Sequence, residues 1–235
     1  MEITIIHGQG HEGSTYHVTA MLKEKLAREG DEVHEYFMPA DGPGFCIGCF
    51  GCMLKGEEYC PEADKVRRLV DSILRSGIVI IDSPTYCLEM SGQLKTFFDH
   101  LGFIYMSHRP RKEMFSKTGI AVSTAAGAGA GKVAKSVARQ MFWWGVPKVY
   151  RLNFSVNASS WDGVPDKIKA RIKKKTEKVS RLVLNMRSEP KPGMAARFMF
   201  GIMRQMQKAN NWNETDRRYW EKNGWLGAAR PWKKP

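Results

Sequence analysis

The sequence has 235 residues, of which 43% are hydrophobic and 26% are charged, and these fractions are typical of a globular protein rather than a fibrous or disordered one. No apolar run approaches the roughly 20 residues that a membrane-spanning helix needs. The net charge of +13 comes from residues 166–235, which contain 19 Lys and Arg against 6 Asp and Glu. Residues 1–165 are electrically balanced, and we expect them to form an enzyme-like core that carries a basic C-terminal portion.

The chain enters a strand-like segment directly and shows no charged and apolar regions of a signal peptide, so the expected location is the cytoplasm. Its cysteines number five. In a reducing compartment they are expected to be thiols, metal ligands or redox groups rather than disulfides. The length allows one large α/β domain or a domain with an extension. We predict a domain over 1–188 and an extension over 189–235.

Five segments are predicted strands, and helical patterns separate them. The strands are Ile3–Ile6, Val33–Met38, Ile78–Ile81, Thr118–Ser123 and Val146–Phe154. Strands that alternate with helices indicate a doubly wound parallel α/β sheet. We predict five parallel strands in the order 2-1-3-4-5, which brings the loops after strands one, three and four around one crevice.

The third strand and the helix after it are the centre of this arrangement. Pro84 is expected to end the strand because it has no N–H group. Ser91 is a good N-cap for a helix over Ser91–Met106. Further along, the pattern of Asp166–Arg187 predicts a long basic helix.

The loop after the first strand reads Gly8-x-Gly10-x-x-Gly13 and leads into a helix. Free N–H groups and the positive dipole at the start of a helix favour an anion, so a phosphate site is indicated. The glycine spacing also matches the dinucleotide fingerprint, for which Glu35 is a candidate ribose-binding acid. A third alternative is that Ser14 acts only as an N-cap.

The loop after the fourth strand, Thr124–Gly131, is built of small residues, which let the backbone approach a flat ligand closely. The pair Gly131-Lys132 matches part of the P-loop motif, which also needs Gly at 126 and Ser or Thr at 133. The chain has Ala126 and Val133 there, so nucleotide triphosphate binding is not expected.

These three loops and four of the cysteines make about residues 1–155 resemble the flavodoxin-like family of NAD(P)H-dependent FMN reductases and iron–sulfur flavoproteins. The motifs that carry the resemblance are Gly8–Thr15, Cys46-x2-Cys49-x2-Cys52-x7-Cys60, Ser83–Tyr86, Ser91–Lys95 with Phe98-Asp99, and Ser123–Gly127. The Pro-x-Tyr loop followed by Gly-Gln-Leu-Lys is the most specific of them. Gln93, Leu94, Lys95 and Asp99 are expected to be structural.

The resemblance implies an FMN site formed by the three loops. The phosphate would be held by residues of the first loop, namely Gln9, His11, Gly13, Ser14 and Thr15. The ribityl chain and one edge of the isoalloxazine would lie along Pro84, Thr85, Tyr86 and Cys87. The ring would also contact the loop of Ser123, Thr124, Ala125, Ala126 and Gly127. The family usually carries Ser and then Arg or Lys where this chain has Gln9 and His11. Weaker phosphate binding is therefore expected, because a histidine is only partly charged at neutral pH.

Cys46, Cys49, Cys52 and Cys60 have the spacing of the iron–sulfur flavoproteins, which is similar to that of bacterial ferredoxins, so a [4Fe–4S] cluster is one alternative. Zinc is a second, although structural zinc more often uses two separated pairs. Four reduced thiols in a loop are the third. Cys60 precedes a helix, whose dipole would favour a thiolate.

The C-terminal portion interleaves basic residues with apolar and aromatic ones. The apolar residues are Phe198, Met199, Ile202, Met203, Met206, Trp212, Tyr219, Trp220, Trp225 and Trp232. This composition can bind nucleic acid or an anionic membrane surface, but neither partner is expected because so many apolar groups need burial. We expect the portion to pack on its own core or on a partner subunit.

The resemblance favours an oxidoreductase in which NAD(P)H passes a hydride to bound FMN, which passes it to a quinone, a nitro compound or a free flavin. One alternative is an electron carrier with a [4Fe–4S] cluster, and another is a non-enzymatic protein that binds a partner through its basic tail. The expected partners are a small-molecule acceptor or a redox protein, within a homo-oligomer. His100, His108 and Arg109 are expected to be solvated or to cap the core rather than to meet a nicotinamide.

Overall fold

The computed structural model describes residues 1–186 and 189–233, and its centre is a sheet of five parallel strands. The strands are β1 (Glu2–His7), β2 (Glu32–Phe37), β3 (Ile78–Tyr86), β5 (Thr118–Ala125) and β6 (Lys148–Ser155). They lie in the order β2-β1-β3-β5-β6, and a two-residue strand, β4 (Glu89–Met90), pairs antiparallel with the end of β3. The predicted fold class, the number of parallel strands and their order are confirmed.

Helices cover both faces of the sheet. One face is covered by α1 (Ser14–Leu26) and α6 (Asp166–Leu184), and the other by α3 (Ala63–Arg75), α4 (Gly92–Asp99) and α5 (Ala130–Trp144). Ile78 and Ile80 belong to the first core, whereas Val79 and Ile81 belong to the second, because successive side chains of a strand point to opposite faces. This explains why β3 begins as an unbroken β-branched run.

The third strand was predicted to end at Pro84, but it continues to Tyr86. Pro84 is paired with Thr124 of β5, while β1 pairs with β3 only as far as Asp82. One edge of β3 is therefore without a strand partner at Pro84, and a proline is tolerated at such an edge. The last two residues of β3 then form a hairpin with β4.

Three other predicted boundaries differ from the structure. The helix expected over Ser91–Met106 ends at Asp99 and is followed by a short 3-10 turn over Gly102–Ile104. The last strand begins at Lys148 rather than Val146, because the Val146 N–H bonds the Met141 carbonyl oxygen at the end of α5. The basic helix ends at Leu184, and Arg187 lies outside the described residues.

The C-terminal portion packs on the core, as expected, through α7 (Met194–Lys208) and α8 (Glu214–Lys222). It forms a third apolar cluster, whose buried members are Met106, Phe115, Phe200, Met203, Trp220 and Trp225. The domain boundary between 188 and 189 stays a prediction, and Ser188 lies outside the described residues. Across the described parts of the chain, we find no helix with the length and apolar character that a membrane span requires.

Candidate functional site

Three loops meet at the carboxyl edge of the sheet. β1, β3 and β5 are neighbours, so the loops that follow them leave the sheet side by side. Thr15, just after the first loop, and Thr124 in the third lie 2.7 Å apart between their hydroxyl oxygens. Thr85 and Ser123 are joined in the same way at 3.0 Å. The structure thus brings four predicted site residues into direct contact.

Gly8 allows the first loop to turn closely over β3. Its N–H donates to the Asp82 carbonyl oxygen at 2.9 Å, and its own carbonyl oxygen accepts from the Ser91 hydroxyl. A Cβ at position 8 would lie 2.7 Å from the Asp82 carbonyl oxygen, so the close approach needs a glycine. The first loop is therefore anchored both to β3 and to the start of α4.

A buried charged group, absent from the predicted site, lies beneath the first loop. His7 Nδ1 is 2.7 Å from Asp82 Oδ2, and His7 Nε2 is 3.1 Å from Glu35 Oε1. Burial lowers the pKa of His7, but its hydrogen bonds to both carboxylates and their negative charges outweigh this and raise the pKa to about 9. The Asp82 carboxylate also accepts from the Gly8 N–H at 3.3 Å, so the group supports the loop. One feature of the sequence could have indicated this group: a polar residue, His7 or Asp82, directly follows the apolar run of each of two adjacent strands.

The position of Glu35 does not support the dinucleotide alternative. Glu35 pairs with Ile5 in the middle of β2, whereas the ribose-binding acid lies at the end of the second strand. Its carboxylate accepts hydrogen bonds from His7 and from Lys23, at 2.6 Å, and these hold the pKa of Glu35 below its ordinary value despite burial. Glu35 therefore belongs to the charged group under the loop.

Gln9 has a buried side-chain amide that finds no hydrogen-bond partner among the described residues. Only 2% of the residue is exposed. Burying an amide without partners costs about 1–3 kcal/mol, and a polar ligand at this point would remove the cost. The NH2 group of an amide suits a phosphate oxygen or a ribityl hydroxyl, so Gln9 fits the phosphate end of FMN.

The first turn of α1 offers further donors for an anion. Gly13 is the N-cap residue of α1, and no side chain caps this helix. Ser14 is the first residue of the helix itself, so the alternative that Ser14 is only an N-cap is not supported. The turn contains no acidic residue, and its N–H groups and dipole favour negative charge. His11 is exposed and close to Gly13, where a Cβ would lie 2.9 Å from His11 Nε2. These residues form a small cradle whose N–H groups can donate to an anion.

The second loop is a tight hairpin that presents Tyr86 to solvent. Cys87 and Leu88 form its turn, and both have positive φ angles, of 50° and 64°, which costs of order 1–2 kcal/mol for each such residue. The Ser91 N–H donates to the Ser83 hydroxyl at 2.9 Å and ties the hairpin to α4. The rigid turn leaves Tyr86 and Cys87 exposed at the crevice.

The third loop changes from buried to exposed along its length. Ser123, Thr124 and Ala125 are buried, and the two hydroxyls are used to hold the loops together. Ala126 and Gly127 are exposed, and a Cβ at 127 would meet open space. The last two residues are therefore the part of this loop that is open to a flat ligand.

The four cysteines of the long loop lie near one another. Burial raises the pKa of Cys52, and the neighbouring thiols of Cys60 and Cys46 raise it further. Burial also raises the pKa of Cys60 against the effect of a backbone N–H from Glu62, so the expected thiolate at this helix start is not favoured. No three of the four sulfurs lie within 4.8 Å of one another in the described chain.

Buried residues from other elements hold the cysteine loop in place. Arg109 donates to the carbonyl oxygens of Cys52 and, at 3.1 Å, Met53, and it forms an ion pair with Asp216 of α8. His100 bonds the Cys60 sulfur at 3.4 Å and the Gly44 carbonyl oxygen. His100 and Arg109 thus cap the core, as expected, and do not face the crevice of the three loops.

The short helix α2 (Gly51–Leu54) carries two of the carbonyl groups bound by α8. Asn213 donates to the Met53 carbonyl oxygen at 3.1 Å, and Thr215 donates to that of Leu54 at 2.6 Å. Sequence reasoning missed these contacts because the residues are about 160 positions apart.

The strand order and the loops at the carboxyl edge define a flavodoxin-like α/β protein. In agreement, the fold is similar to that of an azoreductase from Bacillus anthracis, with a TM-score of 0.61 and 16% identity over 77% of this chain and 99% of that chain. The model of the family "NADPH-dependent FMN reductase" matches residues 1–160. The chain belongs to this family, as the sequence predicted.

Two curated relatives share the same region. An iron–sulfur flavoprotein from Archaeoglobus fulgidus is 34% identical over 139 residues, which are 58% of this chain and 60% of the relative. An FMN-dependent NADH:quinone oxidoreductase from Burkholderia pseudomallei is 28% identical over 132 residues, 54% of this chain and 61% of the relative. The chain therefore spans about three-fifths of the length of these relatives.

Proposed function

We propose that the chain binds FMN in the crevice of the three loops and acts as an NAD(P)H-dependent oxidoreductase. The observation that carries the proposal is the buried amide of Gln9, which has no partner among the described residues and follows directly on the anchored Gly8. Family membership supports it, since the family model covers the region that contains all three loops. Bound FMN would supply the chemistry, accepting a hydride from NAD(P)H and reducing a small acceptor.

The residues of the chain have distinct tasks in this proposal. Gln9, His11, Gly13, Ser14 and Thr15 would bind the phosphate, with Gln9 and the first N–H groups of α1 as donors. The ring would lie between two loops, whose open residues are Pro84, Thr85, Tyr86 and Cys87 in one and Ala126 and Gly127 in the other. The remaining residues of the third loop, Ser123, Thr124 and Ala125, would set its distance from the other two.

The replacement Gln9→Leu tests the role of the amide. It keeps a similar volume but removes the donor, so FMN binding is expected to weaken about tenfold or more, because a hydrogen bond to a charged group contributes about 1.5–3 kcal/mol. Riboflavin, which has no phosphate, should bind the wild-type chain more weakly and be almost unaffected by Gln9→Leu. Fluorescence titration of both flavins measures this.

The replacement Gln93→Leu is the matched control, because this exposed glutamine is expected to be structural. Unchanged FMN binding by the Gln9→Leu protein would refute the phosphate site, and a wild-type chain that binds no FMN would refute the function. An NADH and NADPH oxidation assay with the FMN-loaded chain then tests the activity itself.

A second candidate function is that of an iron–sulfur electron carrier. The four neighbouring thiols lie in a loop that Arg109 and α8 hold in place, and the similarity to an iron–sulfur flavoprotein favours this candidate. Cys46, Cys49, Cys52 and Cys60 would bind a [4Fe–4S] cluster, whose four irons each need one thiolate. Protein purified without oxygen should then contain about four irons per chain, and Cys52→Ser should lower this number. An iron-free wild-type chain would exclude this function.

The acceptor, the assembly and the location are parts of the same proposal. We infer a small acceptor such as a quinone, a nitro compound or a free flavin, or else a redox protein, because the crevice is open to solvent at Tyr86 and Gly127. A homo-oligomer would add walls to this crevice.

A cytoplasmic location fits the five cysteines, all of which are free thiols. Partner binding through the basic tail alone stays a hypothesis.

A further inference from the structure

The helix α7 has two apolar faces, and only one of them is covered. Ala196, Phe200, Met203 and Gln207 are buried against the core. The opposite stripe has large exposed fractions: Met194 88%, Phe198 71%, Ile202 39% and Met206 54%. These four residues recur every four positions, so they form one continuous line along the helix. The burial expected for the apolar residues of this portion is therefore incomplete in the described chain.

The exposed stripe has basic neighbours and no acidic ones in its helix. α7 contains Arg197, Arg204 and Lys208 and neither Asp nor Glu. At 100° per residue these three positions fall within about 40° of one another, on one flank of the stripe. Trp212, just beyond the helix, is 67% exposed. An apolar stripe with a cationic flank and a nearby exposed tryptophan is the pattern of a helix that lies on a membrane surface.

We propose that α7 adsorbs to the surface of an anionic lipid bilayer through the stripe of Met194, Phe198, Ile202 and Met206. The basic flank would contact anionic headgroups while the stripe enters the boundary of the acyl chains. This partner is favoured over a second copy of the chain by charge. In an antiparallel two-fold pairing of two α7 helices the cationic flanks would lie on the same side of the contact and repel each other, whereas an anionic surface is complementary to them.

The location of α7 is compatible with such docking and with access to the proposed flavin crevice. Phe200 of α7 packs edge-on against Phe115, with ring centroids 5.8 Å apart. Phe115 lies just before the first residue of β5, Thr118, and therefore at the amino edge of the sheet. The crevice lies at the carboxyl edge. A chain attached to a membrane through α7 would keep its crevice open to solvent. The proposed vesicle binding itself does not depend on bound flavin.

The proposal is tested by sedimentation of the full chain with vesicles of phosphatidylcholine and phosphatidylglycerol, compared with vesicles of phosphatidylcholine alone. Binding is expected only to the anionic vesicles, and it should be lost at about 1 M salt, where charges are screened beyond about 3 Å. Lys208→Gln should weaken binding about fivefold. The double replacement Phe198→Ser and Ile202→Ser should weaken it at least tenfold through lost apolar burial.

Ile47→Ser is the matched control, because Ile47 is a 76% exposed residue of the cysteine loop, and it should leave vesicle binding unchanged. Unaltered thermal unfolding would show that the α7 variants remain folded. Equal binding to both kinds of vesicle, or binding that ignores the α7 replacements, would overturn the proposal. So would a failure of the full chain to bind the anionic vesicles, and a dimer, seen by light scattering, that the double replacement dissociates would then assign the stripe to a second copy of the chain.

Discussion

At the scale of single residues, the main feature of this protein is the buried charge of His7. A buried histidine usually loses its proton because burial disfavours the charged form. Here two carboxylates contact the two ring nitrogens, and the pKa of His7 rises to about 9. At neutral pH the His7 ring is thus positively charged at the end of β1, and Asp82 links it to the N–H of Gly8.

His7 is expected to make stability depend on pH between about 6.5 and 9. Its pKa is about 9 in the folded chain and 6.5 as the reference for the unfolded chain. The histidine therefore stabilises the fold fully below about pH 6.5, and its contribution, about 3 kcal/mol, is lost as the pH rises through 9. Urea unfolding of the wild type and of His7→Gln near pH 6 and above pH 9 measures the difference.

The histidine that stacks on Trp161 provides the control for this experiment. His17→Gln should leave the fall in the free energy of unfolding between pH 6.5 and 9 as in the wild type, whereas His7→Gln should remove it. The opposite rise above about pH 8 from the buried Lys117, whose pKa burial lowers to about 8, should persist in all three proteins. If the wild type and His7→Gln lost stability in parallel across this range, the charge assigned to His7 would be wrong.

At the scale of elements, α8 and the cysteine loop stabilise each other. The loop has little regular structure, only α2 and a short 3-10 turn, and its carbonyl groups are bound by Arg109, Asn213 and Thr215. Asn213 is also the N-cap of α8 and accepts from the Asp216 N–H. Asn213 therefore begins α8 and also fixes the cysteine loop.

Thr215→Val is expected to loosen the cysteine loop without changing its sequence. The replacement keeps the shape of the side chain but removes the hydrogen bond to the Leu54 carbonyl oxygen, which contributes about 1 kcal/mol. Alkylation of the partly buried Cys52 should then become about fivefold faster, as followed by mass spectrometry. Thr96→Val, which removes a similar bond to the Gly92 carbonyl oxygen in α4, should not alter the rate. Equal rates in all three proteins would show that α8 does not control the loop.

At the scale of the whole molecule, the C-terminal portion behaves as a third layer. Trp220 is fully buried and stacks on Phe200 with ring centroids 4.8 Å apart. Its indole N–H donates to the His108 carbonyl oxygen. His108 and Arg109 in turn bond Asp216 of α8. Phe200, Trp220 and Trp225 of this portion thus complete the core, whereas Phe198 and Trp212 remain exposed.

Trp220→Ala is expected to destabilise the entire chain by about 3–5 kcal/mol, the usual cost of deleting a large buried aromatic side chain. The unfolding monitored by circular dichroism in urea should remain a single transition at lower urea concentration. A cost below about 1 kcal/mol, or a separate early transition, would indicate that residues 189–235 fold independently of the sheet. Trp212→Ala is the control, because this tryptophan is mostly exposed.

Local features of the sequence were sufficient for the strands and for the nature of the loops. The run Ile78–Ile81 predicted a strand covered on both faces, and Gly8 and Gly13 marked a loop before a helix. The family resemblance rested on such contiguous motifs and is confirmed over residues 1–160. The end of β3 was misplaced, because whether a proline stops a strand depends on which neighbour lacks a partner there.

The sequence by itself determined the parallel α/β fold, the three loops of the site and the separation of charge along the chain. Only the tertiary structure decided which distant groups meet. His7 and Asp82 are 75 positions apart, and Arg109 and Asp216 are 107 apart. The protonation of these side chains and the strength of the contacts between them depend on burial and on close partners. No local sequence pattern contains that information. The same holds for α7, where packing alone selects which of two apolar faces is left in contact with solvent.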